Sequence, residues 1–180
     1  MTNTIPIESG GHTIIPDMDW RDDINESTMT SQSEALYYMM RGDNILLCGQ
    51  AGTGKSWVIQ VFRNAIDVIN AVMEPQRRAI NLTITASTGA AAALINGVTI
   101  HSWSGLGRDV DPPDPDEYDE TGVRKVIQSP KWRAAFKRIK STDILVIDEI
   151  SMLPAYFLTN LETVCRMAKN NDKPFGGIQV

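Results

Sequence analysis

The sequence predicts an α/β fold with a mainly parallel sheet and helices on both faces. Three observations predict it: short apolar runs typical of buried strands, longer segments of helical periodicity between them, and a glycine-rich loop that joins a strand to a helix. The chain has 180 residues and is 42% hydrophobic, which suits the core of one domain of ordinary size.

The first elements are a helix and a strand. A helical pattern begins at Ser31, which can cap the helix together with Glu34, and Gly42 can end it. Residues 44–49 form a short apolar run that ends in glycine, as a buried parallel strand does. Apolar residues then recur at helical spacing over residues 56–73, which predicts the helix that follows the loop.

Strands and helices continue to alternate along the rest of the chain. Residues 78–86 and 143–148 predict strands, and residues 88–97 and 153–169 predict helices. Residues 173–180 open what looks like a fourth strand, so we expect the sheet to be incomplete at the C-terminus.

Three segments stand apart from this pattern. Residues 1–28 are polar and acidic and predict a flexible leader, so the domain is expected to span residues 29–180. Residues 109–120 hold three prolines and seven acidic residues, which predicts an exposed acidic loop. Residues 124–140 carry seven basic residues and no acidic one, and we expect most of this segment to be a solvated helix face.

Composition excludes several classes of protein. The net charge of −5 gives no global sign of nucleic-acid binding. No apolar run reaches the roughly 18 residues of a membrane span, and the N-terminus lacks the pattern of a signal peptide. Cys48 and Cys165 have no metal-ligand spacing, so we expect reduced core thiols and an intracellular location, in cytoplasm, nucleus or mitochondrion.

A phosphate-binding loop is the strongest motif. It fits GxxxxGK[ST] in full and lies between a predicted strand and a predicted helix, with the residues Gly49, Gln50, Ala51, Gly52, Thr53, Gly54, Lys55 and Ser56. The glycines let backbone N–H groups line an anion site at a helix N-terminus. Lys55 would reach the β- and γ-phosphates of ATP, and the Ser56 hydroxyl would bind Mg²⁺.

Two carboxylates end the strand predicted over residues 143–148. An apolar parallel strand carries its last residue to the carboxyl edge of the sheet, where the phosphate loop also lies. Asp148 can therefore hold the Mg²⁺ shell, and Glu149 can polarise the attacking water as a general base. The pair favours hydrolysis over storage of a nucleotide.

Four segments together resemble the petite-integration-frequency family of superfamily-1B DNA helicases. They are CGQAGTGKS at residues 48–56, TASTGAAA with NGVTIHSW at residues 85–92 and 96–103, LVIDEISML at residues 145–153, and PFGGIQ at residues 174–179. Gln32 also lies 17 residues before Gly49, where that family places a glutamine that reads adenine. The resemblance runs from about residue 31 to residue 180.

The resemblance implies a RecA-like domain that couples ATP hydrolysis to 5′-to-3′ translocation on single-stranded DNA and to duplex unwinding. It implies partners such as single-stranded DNA and DNA junctions, and roles in repair, recombination and telomere maintenance. We expect a monomer that has no contact with a membrane. Carried over by position, Gln32 would read adenine, and the DNA-contacting residues would be Thr88, Gly89, His101 and Ser102.

Alternatives stay open. His101 and Trp103 offer rings on which bases could stack, but His101 could be a surface histidine, and we favour a core position for Trp103. Another AAA-type or recombinase ATPase, or a nucleotide-binding fragment without catalysis, would share the phosphate loop. The family's GDxxQ motif and second motor domain, with its arginine fingers, do not follow Gln179. We therefore expect a piece of a longer protein, nearly inactive as an ATPase by itself.

Overall fold

A parallel sheet lies at the centre of the fold, seen in a computed structural model that describes residues 31–74, 76–107 and 130–180. In this part of the chain its strands are β1 (Leu82–Ala86), β2 (Val98–Thr99) and β3 (Ile144–Asp148), in the order β2-β1-β3. Leu82 pairs with Ile144 and Ala86 with Asp148, so β1 and β3 end level at the carboxyl edge.

Three helices cover one face of the sheet: α1 (Ser31–Arg41), α2 (Lys55–Val72) and α3 (Gly89–Leu94). The inner face of α2 packs on α1 through a buried cluster of Ala35, Met39, Val58, Phe62 and Ile66, to which Ile144 of β3 also belongs. Ile59 packs with Ile84, Ala86 and Ala92. The α2 helix is therefore held by both a neighbouring helix and the sheet.

The other face carries α4 (Ile100–Ser104), α5 (Pro130–Ser141) and α6 (Ala155–Lys169). Short 3-10 turns at Ile150–Met152 and Pro174–Gly177 flank α6. Its buried cluster includes Trp103, Ile139, Leu145 and Leu161. Since Ile144 and Leu145 belong to clusters on opposite faces, as alternation along a strand requires, the prediction of helices on both faces is confirmed.

Helix α1 ends at Arg41, just before Gly42, as the sequence predicts. Gly42 adopts a left-handed φ of 91°, a conformation that glycine adopts without steric cost. Its N–H donates to the carbonyl of Met39 at 3.2 Å, and the N–H of Asp43 donates to that of Tyr38 at 3.1 Å. This pair of bonds satisfies carbonyls that the end of a helix otherwise leaves without partners.

Of the two other predicted strands, the one over residues 44–49 is not formed and the C-terminal one is only begun. Residues 44–48 are tied to another extended segment by one backbone hydrogen bond in the described part of the chain, from Ile45 N to Val180 O at 3.1 Å, and Leu46 is 72% exposed. At the other end, Phe175 and Gly176 have positive φ and form a turn, so only Gln179 bridges to Ile144. A strand needs repeated bonds from a neighbour, which an apolar pattern alone does not supply.

The predictions for the thiols and the basic segment are partly confirmed. Cys165 is a buried free thiol as predicted, but Cys48 is exposed on the unpaired segment and is not a core residue. In α5, Ala135 and Ile139 are buried while Lys137 is exposed, as a solvated helix face requires. The leader 1–28, the acidic loop 109–120 and the basic residues before α5 lie outside the described residues.

Large apolar side chains are exposed on the outer face of α2. Trp57, in its first turn, is 57% exposed, and Val68 and Val72 further along are more exposed still. Among the helices of the described residues, none is long and apolar enough to cross a membrane.

Candidate nucleotide-binding site

The loop before α2 is shaped by two glycines in the left-handed region. Gly52 has a φ of 82° and Gly54, which precedes the first helical residue, a φ of 87°. A side chain in this region costs about 1–2 kcal/mol, which explains why the motif places glycine there. The two turns bring the loop backbone round to the N-terminus of an 18-residue helix, where free N–H groups favour an anion.

Lys55 points back into this loop. Its Nζ donates to the carbonyl oxygens of Gly49 at 2.8 Å and of Gln50 at 2.9 Å. The Thr53 hydroxyl donates to the same Gln50 carbonyl at 2.9 Å. The ammonium is thus inside the loop that the motif predicts for phosphate, and these carbonyls are the groups it would exchange for phosphate oxygens.

Packing places the start of α2 at the carboxyl edge of the sheet. Ile59, near the start of α2, packs with Ala86 at the end of β1, whereas Ile66, two turns later, packs with Ile144 at the start of β3. The helix therefore runs antiparallel to the strands. Its first residues, Lys55 and the exposed Ser56, lie at the edge where β3 ends in Asp148.

Asp148 and Glu149 are fixed at this edge. The Ser87 N–H donates to the Asp148 carbonyl at 3.2 Å, which ties the ends of β1 and β3 together. The Asp148 Oδ1 accepts the N–H of Glu149 at 3.0 Å. Glu149 is exposed and adopts a left-handed φ of 54° as the chain leaves the strand. Glu149 thus follows the predicted metal ligand directly in the chain and is accessible to solvent.

The oxygen donors at this edge fit Mg²⁺. Ser56 supplies a hydroxyl and Asp148 a carboxylate, and Mg²⁺ is commonly held by few protein oxygens together with substrate phosphates. Among the described residues, no group of three or more histidine, cysteine, aspartate or glutamate side chains could hold a metal by itself. Mg²⁺ at such a site takes its remaining ligands from substrate phosphates and water.

Gln32 lies on α1 and reaches the loop. Its Nε2 donates to the carbonyl of Thr53 at 2.8 Å. The structure therefore places the predicted adenine-reading residue at the site, but its amide contacts the loop backbone. That it reads adenine stays a prediction.

The predicted DNA residues Thr88 and Gly89 follow β1 at the same edge. Thr88 caps α3, because its hydroxyl accepts the N–H of Ala91 at 3.2 Å, and the helix begins at the exposed Gly89. The expectation that they open a helix is confirmed. Their contact with DNA stays a prediction.

Trp103 is the clear correction among the site residues. Its side chain is 2% exposed and belongs to the core cluster of α4, α5 and α6, so it cannot stack on a base. The preference for a core position is thus confirmed. Its neighbours on α4 remain accessible: Ser102 is exposed, and His101 is half-buried with its ring 4.6 Å from that of Phe157. A DNA role for these two stays a prediction.

The sequence did not reveal the part played by Arg138. Its Nε donates to the Trp103 carbonyl at 3.0 Å and its Nη2 to that of Ser102 at 2.6 Å. It thereby holds the C-terminal end of α4, which carries the predicted DNA residues. The available signal is its place next to Ile139, a buried position on the amphipathic α5.

Comparison with known proteins identifies the family. The family model described as PIF1-like helicase matches residues 25–180. The chain is 40% identical over 149 residues to the ATP-dependent DNA helicase PIF1 of Saccharomyces cerevisiae strain YJM789, covering 83% of this chain and 16% of that protein. It is 37% identical over 149 residues to the ATP-dependent DNA helicase Pif1 of Psychrobacter sp. strain PRwf-1, covering 83% of this chain and 20% of that protein.

A solved structure shows the same likeness. The crystal structure of Pif1 helicase from Candida albicans superposes with a TM-score of 0.66 at 30% identity, covering 84% of this chain and 31% of that one. The chain thus spans about a fifth of the length of these curated relatives and about a third of the solved chain. These matches do not favour the alternative of an AAA-type or recombinase ATPase.

Proposed function

This chain belongs to the PIF1-like helicase family, and from that premise we propose that it is the nucleotide-binding part of an ATP-dependent DNA helicase. One observation carries the proposal. The Lys55 ammonium lies inside a loop built on two left-handed glycines, at the N-terminus of α2. That helix begins at the sheet edge which bears Asp148 and Glu149.

In the proposed reaction, Lys55 exchanges the Gly49 and Gln50 carbonyls for the β- and γ-phosphates of ATP. Ser56 and Asp148 would hold Mg²⁺, which when bound would neutralise phosphate charge. Glu149 accepts a proton from the water that attacks the γ-phosphorus. The bond from that phosphorus to the bridging oxygen of ADP breaks, and ADP and inorganic phosphate leave.

The same proposal assigns the DNA side of the molecule. Thr88 and Gly89, which follow β1, and His101 and Ser102 on α4 would contact single-stranded DNA or a DNA junction. A shared sheet edge would let ATP binding alter the grip on DNA, as a translocating motor requires. We extend the proposal to 5′-to-3′ unwinding in repair, recombination and telomere maintenance, and to an intracellular monomer. The two free cysteines suit a reducing compartment.

Replacing Lys55 by alanine tests the proposal. The change removes charge-assisted contacts worth roughly 1.5–3 kcal/mol, so we expect at least a tenfold weaker Kd for a fluorescent ATP analogue. The measurement is a fluorescence anisotropy titration of the chain with Mg²⁺ present.

Lys137→Ala is the matched control, since Lys137 is an exposed lysine on α5; it should bind as the unaltered chain does. Equal affinity for the analogue in the Lys55 variant and the unaltered chain would refute the assignment of Lys55.

For catalysis, Glu149→Gln in a helicase that contains this segment should bind ATP without hydrolysing it. Retained turnover there would remove Glu149 as the base.

A further inference from the structure

We propose that Gln32 is a positioning residue for the phosphate loop, and that it tunes the affinity for every nucleoside triphosphate regardless of the base. The inference rests on the proposed function, because it presumes that the loop binds the triphosphate. It differs from adenine reading, which would act on the base alone.

The contact that carries the inference joins α1 to the loop backbone. The Gln32 Nε2 donates to the Thr53 carbonyl at 2.8 Å, across 21 residues of sequence. A Cβ built on Gly54 would collide with this same amide nitrogen. The absence of a side chain at position 54 therefore serves two ends: it permits the φ of 87°, and it lets the glutamine approach the loop.

Holding the Thr53 carbonyl fixes the peptide that follows it. In a trans peptide the carbonyl and the next N–H point in opposite directions, and no cis peptide occurs among the described residues. With its oxygen turned toward α1, the Thr53–Gly54 peptide must direct the Gly54 N–H away from α1. A loop that cradles phosphate depends on the direction of such N–H groups.

Thr53 is also restrained from within the loop. Its hydroxyl donates to the Gln50 carbonyl at 2.9 Å, and its N–H donates to that oxygen at 3.4 Å. These bonds close the turn around residues 50–53 and do not involve the Thr53 carbonyl. Gln32 supplies a hydrogen bond to that carbonyl, so its loss should loosen the Gly54 end of the loop selectively.

The helix that carries Gln32 is anchored independently of the loop. Ala35 and Met39 of α1 are buried against α2. The Gln179 amide donates to the carbonyls of Met39 at 2.7 Å and Asp43 at 3.0 Å, at the opposite end of α1. A residue that positions the loop must itself lie on a fixed element, because an amide on a loose segment would move with the loop.

The amide retains capacity for a base. A glutamine side chain has two N–H donors and one carbonyl, and the Thr53 contact uses one donor. The inference therefore does not displace adenine reading. It adds a contribution that GTP, or a triphosphate without a base, should experience equally.

The test compares three ligands, MgATP, MgGTP and magnesium tripolyphosphate, by isothermal titration of the whole chain. Gln32→Met keeps the length of the side chain and removes the donor, and Gln32→Glu replaces the amide by a group that accepts only. Loss of a neutral hydrogen bond is worth about 0.5–1.5 kcal/mol, so Gln32→Met should weaken all three ligands by a similar factor, about 3- to 10-fold. Gln32→Glu should weaken all three further, because its carboxylate also repels the phosphates. The control Glu34→Gln, an exposed change two residues away on α1, should weaken none.

Two outcomes would overturn the inference: weaker binding of MgATP alone, which is adenine reading by itself, or no change in any ligand. The proposed function fails separately, if the unaltered chain binds none of the three or if Lys55→Ala matches it for all three.

A second measurement does not depend on the Gln32→Met protein folding well. Gly54→Ala should weaken tripolyphosphate binding less in a Gln32→Ala background than in the unaltered chain, because the added methyl then has room. Equal losses in the two backgrounds would show that Gln32 does not contact the loop in the binding state.

Discussion

Glu149 occupies a conformation that most residues avoid. Its φ of 54° and ψ of 42° lie in the left-handed region, which costs a residue with a side chain about 1–2 kcal/mol. The Asp148 Oδ1 helps to hold it there by accepting its N–H at 3.0 Å. Strain of this kind persists only where surrounding contacts impose it, and it is common at functional sites.

Because of this strain, we expect the Glu149→Gly protein to be more stable than the Glu149→Ala protein. Glu149→Gly should have a free energy of unfolding about 1 kcal/mol above that of Glu149→Ala, because only glycine adopts this φ without steric cost. Urea unfolding followed by circular dichroism measures the difference, and both variants lack the carboxylate, so its loss cancels.

Glu34 supplies the matched comparison for that pair. It is exposed in the regular helix α1, where glycine should be less stable than alanine by about 1 kcal/mol. Glycine less stable than alanine at both positions would show that Glu149 is not strained.

At the scale of elements, Arg138 joins α5 to α4. Its guanidinium donates to the carbonyls of Ser102 and Trp103, and a cation at the C-terminal end of a helix is favourable. Arg138→Met should therefore lower the free energy of unfolding by about 1 kcal/mol, a value reduced from that of a buried charged hydrogen bond because the site is exposed. Urea unfolding of the chain checks the value.

Lys137→Met is the control for Arg138, because Lys137 is an exposed neighbour on the same helix; its stability should not change. If α5 were instead a track for DNA, both variants would reduce the salt dependence of single-strand binding, which scales with the phosphates neutralised. Equal stability of Arg138→Met and Lys137→Met would contradict the structural role of Arg138, and an equal reduction of the salt dependence by both would show that α5 contacts DNA.

The elements predictable from sequence are those whose causes are local. The backbone conformation of the loop requires glycine at positions 52 and 54, so the motif predicts the loop. Burial on both faces of the sheet requires the apolar run before Asp148, so the apolar pattern predicts the strand. Residues 44–48 failed as a strand because pairing depends on a neighbour. A core position was favoured for Trp103 from the sequence, but its neighbours could not be named, because the helices that bury it, α5 and α6, come later in the chain.

The contacts of the site were harder to foresee than its members. The phosphate loop, Asp148 and Glu149 were placed at one sheet edge by the rule for parallel strands. Nothing in the spacing of Gln32 and Thr53 shows that a side chain of one meets the carbonyl of the other. That contact depends on how α1 packs against α2, which the sequence pattern leaves open.

For the whole molecule, burial of Cys165 predicts that the free energy of unfolding decreases at alkaline pH. Loss of hydration, with the charge of Glu162 as the next cause, raises the pKa of this thiol to about 12 from an ordinary 9.0. The unfolded chain therefore loses this proton first, so stability is complete below pH 9.0 and falls as pH rises toward 12. The slope from this group is about 1.4 kcal/mol per pH unit.

Urea unfolding from about pH 8 to about pH 10.5, compared with Cys165→Ala, isolates this contribution, since other groups titrate alike in both proteins. The alanine variant should be the less stable at the lower pH, and its deficit should shrink steadily above pH 9.0. A deficit that stays constant with pH would contradict the raised pKa.

The exposure of Trp57 should affect the intrinsic fluorescence of the molecule. Its indole is 57% exposed in the turn that carries Lys55 and Ser56, whereas that of Trp103 is 2% exposed in the core. Emission from Trp57 should lie toward the red and be open to quenching by iodide, and Trp57→Phe should reduce that component. A nucleotide seated on the loop would shield this ring, so the unlabelled protein should report occupancy of the site through its own fluorescence.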